Sequence, residues 1–260
     1  MNLVYSCVFV KKEYITLIDK LLTTFNKYPE NKNITYLIIT SPNFEKDIKK
    51  VFDKLEITSD IFLIDISNKN EMDNIYESTY SRYRIFEYPK INNFKKILYL
   101  DCDILILNNI NPIFSINTNN KFYFMNEKKQ RQCHCALFSD EEFNKLNDYE
   151  TFTTAVILFE NNNIIRNFMI DIYNSIKNFH VKYKNPVPAF DQPLTNKYCI
   201  NNNIYNNKDI TKYCINIGHR DGPEILNKLK NYLLCHFSTN VGDYKSKLER
   251  INFTIDNIIL

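Results

Sequence analysis

Along its first hundred residues the chain alternates apolar runs of strand length with segments of helical period, and this alternation limits the folds open to it. Buried strands of a parallel sheet read as short continuous apolar runs, whereas helices on the sheet place apolar residues three and four positions apart. Repeated strand-helix order is typical of a mostly parallel sheet flanked by helices. Beginning with a strand, we predict alternating strands and helices over residues 3–10, 12–28, 34–40, 43–55, 61–66, 75–88 and 96–100.

After residue 110 the pattern loosens. We predict three short strands at 121–125, 153–159 and 232–237, and two helices at 164–178 and 191–198. No long linker or internal repeat separates the halves, so we predict one α/β domain over residues 1–260 with lobes at 1–110 and 111–260. Ligands of open α/β sheets bind beyond the carboxyl ends of the strands, which favours nucleotide binding by the first lobe.

Composition excludes several function classes. Glycine occurs only 3 times, and neither the dinucleotide fingerprint nor the P-loop pattern is present. The net charge of +3 comes from 33 basic and 30 acidic residues that interleave, which does not indicate a nucleic-acid surface.

Cysteine usage and hydropathy bear on the compartment. The 7 cysteines are odd in number and mostly set in apolar runs, as at Cys7, Cys102 and Cys235, which is typical of reduced, buried thiols. The first ten residues lack a basic signal-peptide region, and no apolar stretch is long enough to span a membrane. We therefore expect a cytoplasmic protein without a transmembrane segment.

The triplet Asp101-Cys102-Asp103 follows the apolar run at 97–100 and precedes another at 104–107. We expect it to lie at the end of a buried strand, where the side chains at i and i+2 point the same way. Two carboxylates this close in an apolar setting raise the free energy unless a cation or protons relieve them. Hard oxygen ligands suit Mg²⁺ or Mn²⁺, which also bind phosphate oxygens. The triplet therefore predicts a metal site under a diphosphate, although such triplets also occur by chance in acidic loops.

Residues 80–88, followed by 96–103, resemble the arginine helix and D-x-D strand of the retaining glycosyltransferases of family 8, the group that includes glycogenin and bacterial lipopolysaccharide galactosyltransferases. The resemblance implies a GT-A fold and retaining transfer of a hexose from a UDP-sugar, with Mn²⁺ or Mg²⁺ as cofactor. The acceptor would be a hydroxyl of a glycan, a protein or a lipid-linked molecule, bound by the second lobe. Arg82 would reach the donor phosphates or sugar; the alternative is a surface ion pair.

Two later segments extend the resemblance. Asp191-Gln192 begins a segment similar to the family's D-Q-x-x-x-N, which implies stabilisation of positive charge at the anomeric carbon and orientation of the donor sugar. Asp191 could instead cap the helix that follows it. Residues 233–237 resemble the strand that supplies the third metal ligand, which assigns that role to His236 beside Asp101 and Asp103.

The remaining donor contacts come from both ends of the chain. Residues 8–10 and Tyr14 are similar to the family's first strand and loop, which implies that Val8 and Tyr14 hold the uridine; Tyr14 could also simply open the first helix. Gly242 would let the backbone approach the phosphates, and Lys245 would neutralise the negative charge of the departing UDP. Cys102, within the D-x-D triplet, would line the donor site.

The chain also departs from the family. The N-S-G or N-A-G strand entrance is replaced at residues 153–155 by Thr-Thr-Ala. The motif H-F-x-G-x-x-K-P-W is lengthened at 238–241, and Ser246-Lys247 replaces its Pro-Trp. These changes concern the sugar-facing strand and the segment over the pyrophosphate.

Other readings stay open at this stage. Cys133-His134-Cys135 suggests zinc, but no second ligand pair is visible at the usual spacing. A phosphohydrolase could use the first Asp of a D-x-D, although such motifs normally follow the first strand of a domain. A catalytically silent protein that binds a nucleotide-sugar or a glycan is the other alternative. The sugar, the acceptor and the oligomeric state, including a homodimer, are left open.

Overall fold

The computed structural model describes residues 1–57, 59–66, 77–183, 189–218, 221, 223–238 and 244–259. The strands within these residues are β1 (Asn2–Val8), β2 (Ile34–Thr40), β3 (Ser59–Leu63), β4 (Lys96–Leu100), β5 (Ile104–Ile106), β6 (Phe122–Asn126), β7 (Phe152–Glu160), β8 (Tyr205–Asn206), β9 (Cys214–Ile217) and β10 (Leu234–Phe237). The α-helices are α1 (Glu13–Asn26), α2 (Pro42–Leu55), α3 (Asn111–Phe114), α4 (Asp140–Lys145), α5 (Asn163–Tyr183), α6 (Gln192–Asn201), α7 (Leu226–Leu229) and α8 (Tyr244–Thr254).

Seven of the described strands form the central sheet, in the order β3-β2-β1-β4-β7-β6-β8. Strands β3, β2, β1 and β4 are mutually parallel, as predicted, whereas β7 is antiparallel to both β4 and β6. β7 runs opposite to β6 because the chain leaves the carboxyl end of β6 and re-enters the sheet on that same side. A smaller sheet, β5-β10-β9, lies beside it.

The apolar runs of the central strands supply both faces of the sheet, because successive side chains of a strand point to opposite sides. Val4 and Ile38 lie in one core with apolar residues of α1 and α2. Tyr5 and Leu37 lie in a second core with residues of α5. Burial on both faces explains why these strands read as continuous apolar runs.

Several strands end on the same side of the central sheet. β4 and β6 are each antiparallel to β7, so the carboxyl ends of β4 and β6 lie beside the amino end of β7. The chain turns directly from β4 into β5, and β5 pairs with β10. The residues that follow β4 and β6 and those at the end of β10 therefore lie on this side of the sheet.

Three predictions need correction or completion. Of the helix predicted over residues 75–88, residues 77–80 are α-helical, whereas residues 81–87 form a 3₁₀ helix (Ser81–Glu87). Residues 67–76, within which that helix was to begin, lie outside the described residues. The D-x-D triplet occupies a turn, not a strand end with extended geometry. The short strands β5, β8 and β9 were not predicted.

The division into lobes at residue 110 stays a prediction; strands from both sides of that boundary share the central sheet. All seven cysteines are free thiols. Among the described helices, none combines the length and apolar character needed to cross a lipid bilayer.

Candidate active site

The turn between β4 and β5 carries the D-x-D triplet. The amide of Ile104 donates to the carbonyl of Asp101 at 3.2 Å, which closes the turn. Ile104 lies opposite His236 in the antiparallel pair of β5 and β10, and the amide of Phe237 donates to the carbonyl of Asp103 at 3.1 Å. The small sheet thus brings His236, distant in sequence, to the triplet.

Asp101, Asp103 and His236 form a cluster of potential metal ligands, with one ligand atom from each lying within 4.8 Å of the others. The Nε2 atom of His236 is 3.6 Å from Oδ1 of Asp103. Asp103 Oδ1 and His236 Nδ1 are buried and have no hydrogen-bond partner among the described residues. Buried polar atoms without partners raise the free energy, and a hard divalent cation would relieve the carboxylate oxygen directly. The residues present therefore fit such an ion.

Lys247 also reaches this cluster. Its ammonium group, on α8, contacts Oδ2 of Asp103, and both side chains are largely buried. Burial alone would raise the pKa of Asp103, but Lys247 and His236 outweigh it and lower that pKa below its usual value. Lys245, predicted for the phosphates, is exposed on the same helix. Sequence reasoning missed Lys247, which stands at one of the positions where Ser246-Lys247 replaces the family's Pro-Trp.

Arg82 lies buried between two carboxylates. Its guanidinium is 3.3 Å from Asp101 Oδ1 and 3.6 Å from Asp191 Oδ2, and it donates to the carbonyls of Thr79 and Thr154, each at 2.7 Å. Burial alone would lower the pKa of Arg82, but the two carboxylates raise it well above its usual value. The alternative of a surface ion pair is therefore wrong, since the side chain is 9% exposed.

Asp191 stands directly before α6 but makes no capping hydrogen bond. Its carboxylate instead accepts a hydrogen bond from the hydroxyl of Tyr83 at 2.8 Å. Burial raises the pKa of Asp191, while Arg82 and Tyr83 act in the opposite direction. The carboxylate therefore faces the polar site and does not serve the helix terminus.

Gln192, the first residue of α6, is oriented at both ends of its amide. Its Oε1 accepts from the backbone amide of Thr154 at 3.1 Å, and its Nε2 lies 3.8 Å from the sulfur of Cys133. Thr154 belongs to the strand entrance that departs from the family pattern. Its backbone nevertheless fixes both Gln192 and Arg82, so this contact does not depend on the side chain that changed.

A cavity lies over the D-x-D turn between the ends of β1 and β4. Its lining includes Tyr14, Arg82, Cys102 and both carboxylates of the triplet, together with Lys247. Tyr14 is half exposed in the first turn of α1, and the thiol of Cys102 donates to the carbonyl of Cys7 at 3.1 Å. Val8 is buried in the core, while its neighbours Cys7 and Phe9 line the cavity. Gly242 lies outside the described residues.

The Cys133-His134-Cys135 segment does not gather zinc ligands. Cys135 is fully buried in a small apolar cluster with Phe138 and Leu146. The group of Asp101, Asp103 and His236 is the single set of three metal-ligating side chains found within the part of the chain that the structure describes.

Comparison with known families decides how this geometry is classified. The sequence model described as Glycosyl transferase family 8 matches residues 3–245. The chain belongs to glycosyltransferase family 8. This confirms the family predicted from the arginine segment and the D-x-D triplet. By sequence, no curated protein matches the chain.

Several solved glycosyltransferase structures share the fold. The galactosyltransferase LgtC, solved with donor and acceptor sugar analogs, is 14% identical with a TM-score of 0.59, covering 100% of this chain and 97% of that one. Apo mouse xyloside xylosyltransferase 1 is 12% identical with a TM-score of 0.60, covering 92% and 99%. Apo GlyE of Streptococcus pneumoniae is 14% identical with a TM-score of 0.60; the match covers 98% of this chain but only 62% of GlyE. At these identities the likeness shows the GT-A fold alone, as predicted.

Proposed function

We propose that this family 8 glycosyltransferase transfers a hexose from a UDP-sugar to a hydroxyl acceptor, with retention of anomeric configuration. The observation that carries the proposal is the cluster of Asp101, Asp103 and His236, in which the buried Oδ1 of Asp103 has no hydrogen-bond partner among the described residues. Family membership supports transfer over phosphoester hydrolysis.

Asp101, Asp103 and His236 would hold Mn²⁺ or Mg²⁺. When bound, such an ion would supply positive charge that stabilises the diphosphate of the departing UDP. Arg82 adds a fixed guanidinium beside the same carboxylates, and its contacts with backbone carbonyls keep it in place without rearrangement. Preorganised charge of this kind stabilises the transition state more than mobile charge does.

Asp191 and Gln192 would face the donor sugar. Asp191 keeps a buried carboxylate beside Arg82, where it can stabilise positive charge at the anomeric carbon. Gln192 is oriented by Thr154 and can position the sugar ring.

Lys247 takes the phosphate contact that the sequence suggested for Lys245. Its ammonium lies at the cavity against Asp103, whereas the side chain of Lys245 is exposed. Replacing Lys247 by Met should reduce turnover strongly, and the matched change Lys245→Met should have little effect. Equal effects of the two changes would contradict this assignment.

Tyr14 would stack on the uracil, since its ring lines the cavity and is half exposed. Val8 would act only through its backbone, because its side chain is buried. Cys102 lines the donor space. Gly242 stays a prediction for the segment over the phosphates, where Lys247 replaces Lys245 in this proposal. A cytoplasmic location and a homodimer also stay predictions.

The test is UDP release from a panel of UDP-hexoses with Mn²⁺, comparing the native chain with Asp103→Asn and with the exposed surface control Asp53→Asn. We expect turnover of one donor by the native chain and the control, and its loss in Asp103→Asn. UDP binding without turnover of any donor would instead favour a silent binding protein of the same fold.

A further inference from the structure

A second cavity lies where the small sheet meets α7 and α8. Its volume is about 430 Å³, and most of its walls are the apolar side chains of Ile217, Ile225, Leu226, Phe237 and Phe253. Among the described residues, none lines both this cavity and the one over the D-x-D turn. A volume of this size is typical of sites for small molecules, which are mostly apolar with a few placed polar groups.

Arg250, on α8, brings a guanidinium to the wall of the second cavity. Its Nη1 donates to the carbonyl of Ile217 at 3.3 Å and to that of Gly218 at 2.8 Å, at the end of β9. The guanidinium also lies over the ring of Phe237, with 5.9 Å between Cζ and the ring centroid. Nε and Nη2 are buried, and neither has a hydrogen-bond partner among the described residues. One edge of this guanidinium is therefore bound and the other has no acceptor.

The edge without an acceptor is the one that binds carboxylates side-on. Elsewhere in the chain, Arg84 uses its Nε and Nη2 in this way on the two carboxylate oxygens of Glu87, at 2.7 and 2.6 Å. The two N–H groups form a rigid fork that matches a carboxylate, and a charge-assisted pair of this kind is strong. Buried donors without acceptors raise the free energy of the folded chain. A carboxylate entering from the second cavity would supply both acceptors and pair the charge of Arg250.

Two acidic residues line the second cavity but do not supply these acceptors. Asp221 and Glu249 are both exposed, and Oδ2 of Asp221 accepts from the amide of Gly218 at 2.7 Å. Exposed charges are screened by water and salt, so these two residues oppose an anion at the buried edge of Arg250 only weakly. The acceptor has to come from a ligand.

The apolar walls indicate the rest of that ligand. Ile217 and Phe237 are buried, whereas Phe253, on the same helix as Arg250, is 46% exposed. A hydrocarbon chain that follows the carboxylate would lie against these walls and cover the ring of Phe253. Removing apolar surface from water favours such binding in proportion to the area buried.

We propose that the second cavity is a binding site for a small amphiphilic carboxylate of the fatty-acid type, with the carboxylate on Nε and Nη2 of Arg250 and the chain against Phe237 and Phe253. Because both nitrogens are covered from solvent, entry of the ligand includes a shift of side chains at the cavity wall, as is common on binding. The site lies on the helix that also carries Lys247, but it shares no lining residue with the donor cavity among the described residues.

The test is binding of octanoate, followed by isothermal titration calorimetry below micelle-forming concentrations. Hexanoate and decanoate vary the chain, and 1-octanol replaces the carboxylate with a neutral head group. We expect affinity to rise by up to about fourfold with each methylene that the cavity buries. Loss of the charged hydrogen bonds should make 1-octanol bind about ten- to hundredfold more weakly than octanoate.

The variants address the guanidinium and the apolar wall separately. Arg250→Met should lower octanoate affinity about ten- to hundredfold, and Arg250→Lys, which keeps the charge but not the fork, should fall between this variant and the native chain. Phe253→Ala should lower the affinity for octanoate and for 1-octanol by the same factor. The controls Arg131→Met and Tyr149→Ala, at an exposed ion pair and an exposed ring, should bind octanoate as the native chain does.

Thermal unfolding checks that each variant folds. If Arg250→Met does not fold, Arg250→Lys and Phe253→Ala carry the test, since the first keeps the charge and the second changes an exposed ring. Absence of octanoate binding by the native chain, equal affinity for octanoate and 1-octanol, or unchanged octanoate binding in the folded Arg250 and Phe253 variants would overturn this inference. None of these measurements uses a sugar donor or turnover, so their outcome is independent of the proposed function.

Discussion

Removing the charge of Arg82 should destabilise the fold far more than removing an arginine from an exposed ion pair. Arg82 lies 3.3 Å from Asp101 and 3.6 Å from Asp191, and its own side chain is 9% exposed. Arg82→Met leaves both carboxylates without their counter-charge, and breaking a buried pair costs about 3–5 kcal/mol of unfolding free energy. The control is Arg131→Met, whose partner Asp140 is 90% exposed, with an expected cost of about 0.2–1 kcal/mol.

Urea unfolding measures both values. The chain has no Trp, so far-ultraviolet circular dichroism follows the transition. A second change sharpens the test: Asp191→Asn in the Arg82→Met background removes one of the unpaired charges and should raise stability. A cost for Arg82→Met equal to that for Arg131→Met, or a further loss from adding Asp191→Asn, would refute the reasoning.

Two further predictions concern single contacts. Tyr83→Phe removes the hydroxyl that donates to Asp191 at 2.8 Å and should lower the free energy of unfolding in urea by about 1–3 kcal/mol. The control Tyr149→Phe, at a residue 63% exposed, should change that free energy by less than about 0.5 kcal/mol. Equal effects of the two changes would count against a role for this hydrogen bond. Nε2 of His134 lies 2.6 Å from Oε2 of Glu127. Because the pKa of His134 is raised from 6.5 to about 9, its pairing with Glu127 stabilises the fold fully below pH 6.5 and is lost as pH rises through about 9. The stability deficit of His134→Gln relative to native should therefore shrink between pH 6.5 and 9.5, and a deficit that grows over this range would contradict the charged pair.

The central strands could be predicted closely because burial on both faces leaves an uninterrupted apolar run. β2 and β4 match the predicted residues 34–40 and 96–100, and β1 ends two residues before the predicted limit. The short strands β8 and β9 were missed since two to four residues carry no periodicity. The reversal of β7 was also invisible, because a fully buried strand reads alike in either direction.

The site was predictable where its residues are close in sequence or match a family motif. The cluster of Asp101, Asp103 and His236 was expected from the motif, although a turn and the small sheet bring the three together, not the extended geometry first assumed. Lys247 was missed because the lengthened segment before α8 obscures which lysine faces the cavity. Arg250 gave no signal in the sequence, because its place beside the second cavity depends on the small sheet, of which β5 and β9 were not predicted.

The most direct test of the account is Mn²⁺ binding, followed by the loss of the free-ion signal in electron paramagnetic resonance, with and without UDP. The account predicts one tightly bound Mn²⁺ per chain, strengthened by UDP, in the native chain and in Asp53→Asn, and its loss in Asp103→Asn. Unchanged Mn²⁺ binding in Asp103→Asn would contradict the claim that Asp101, Asp103 and His236 hold the ion.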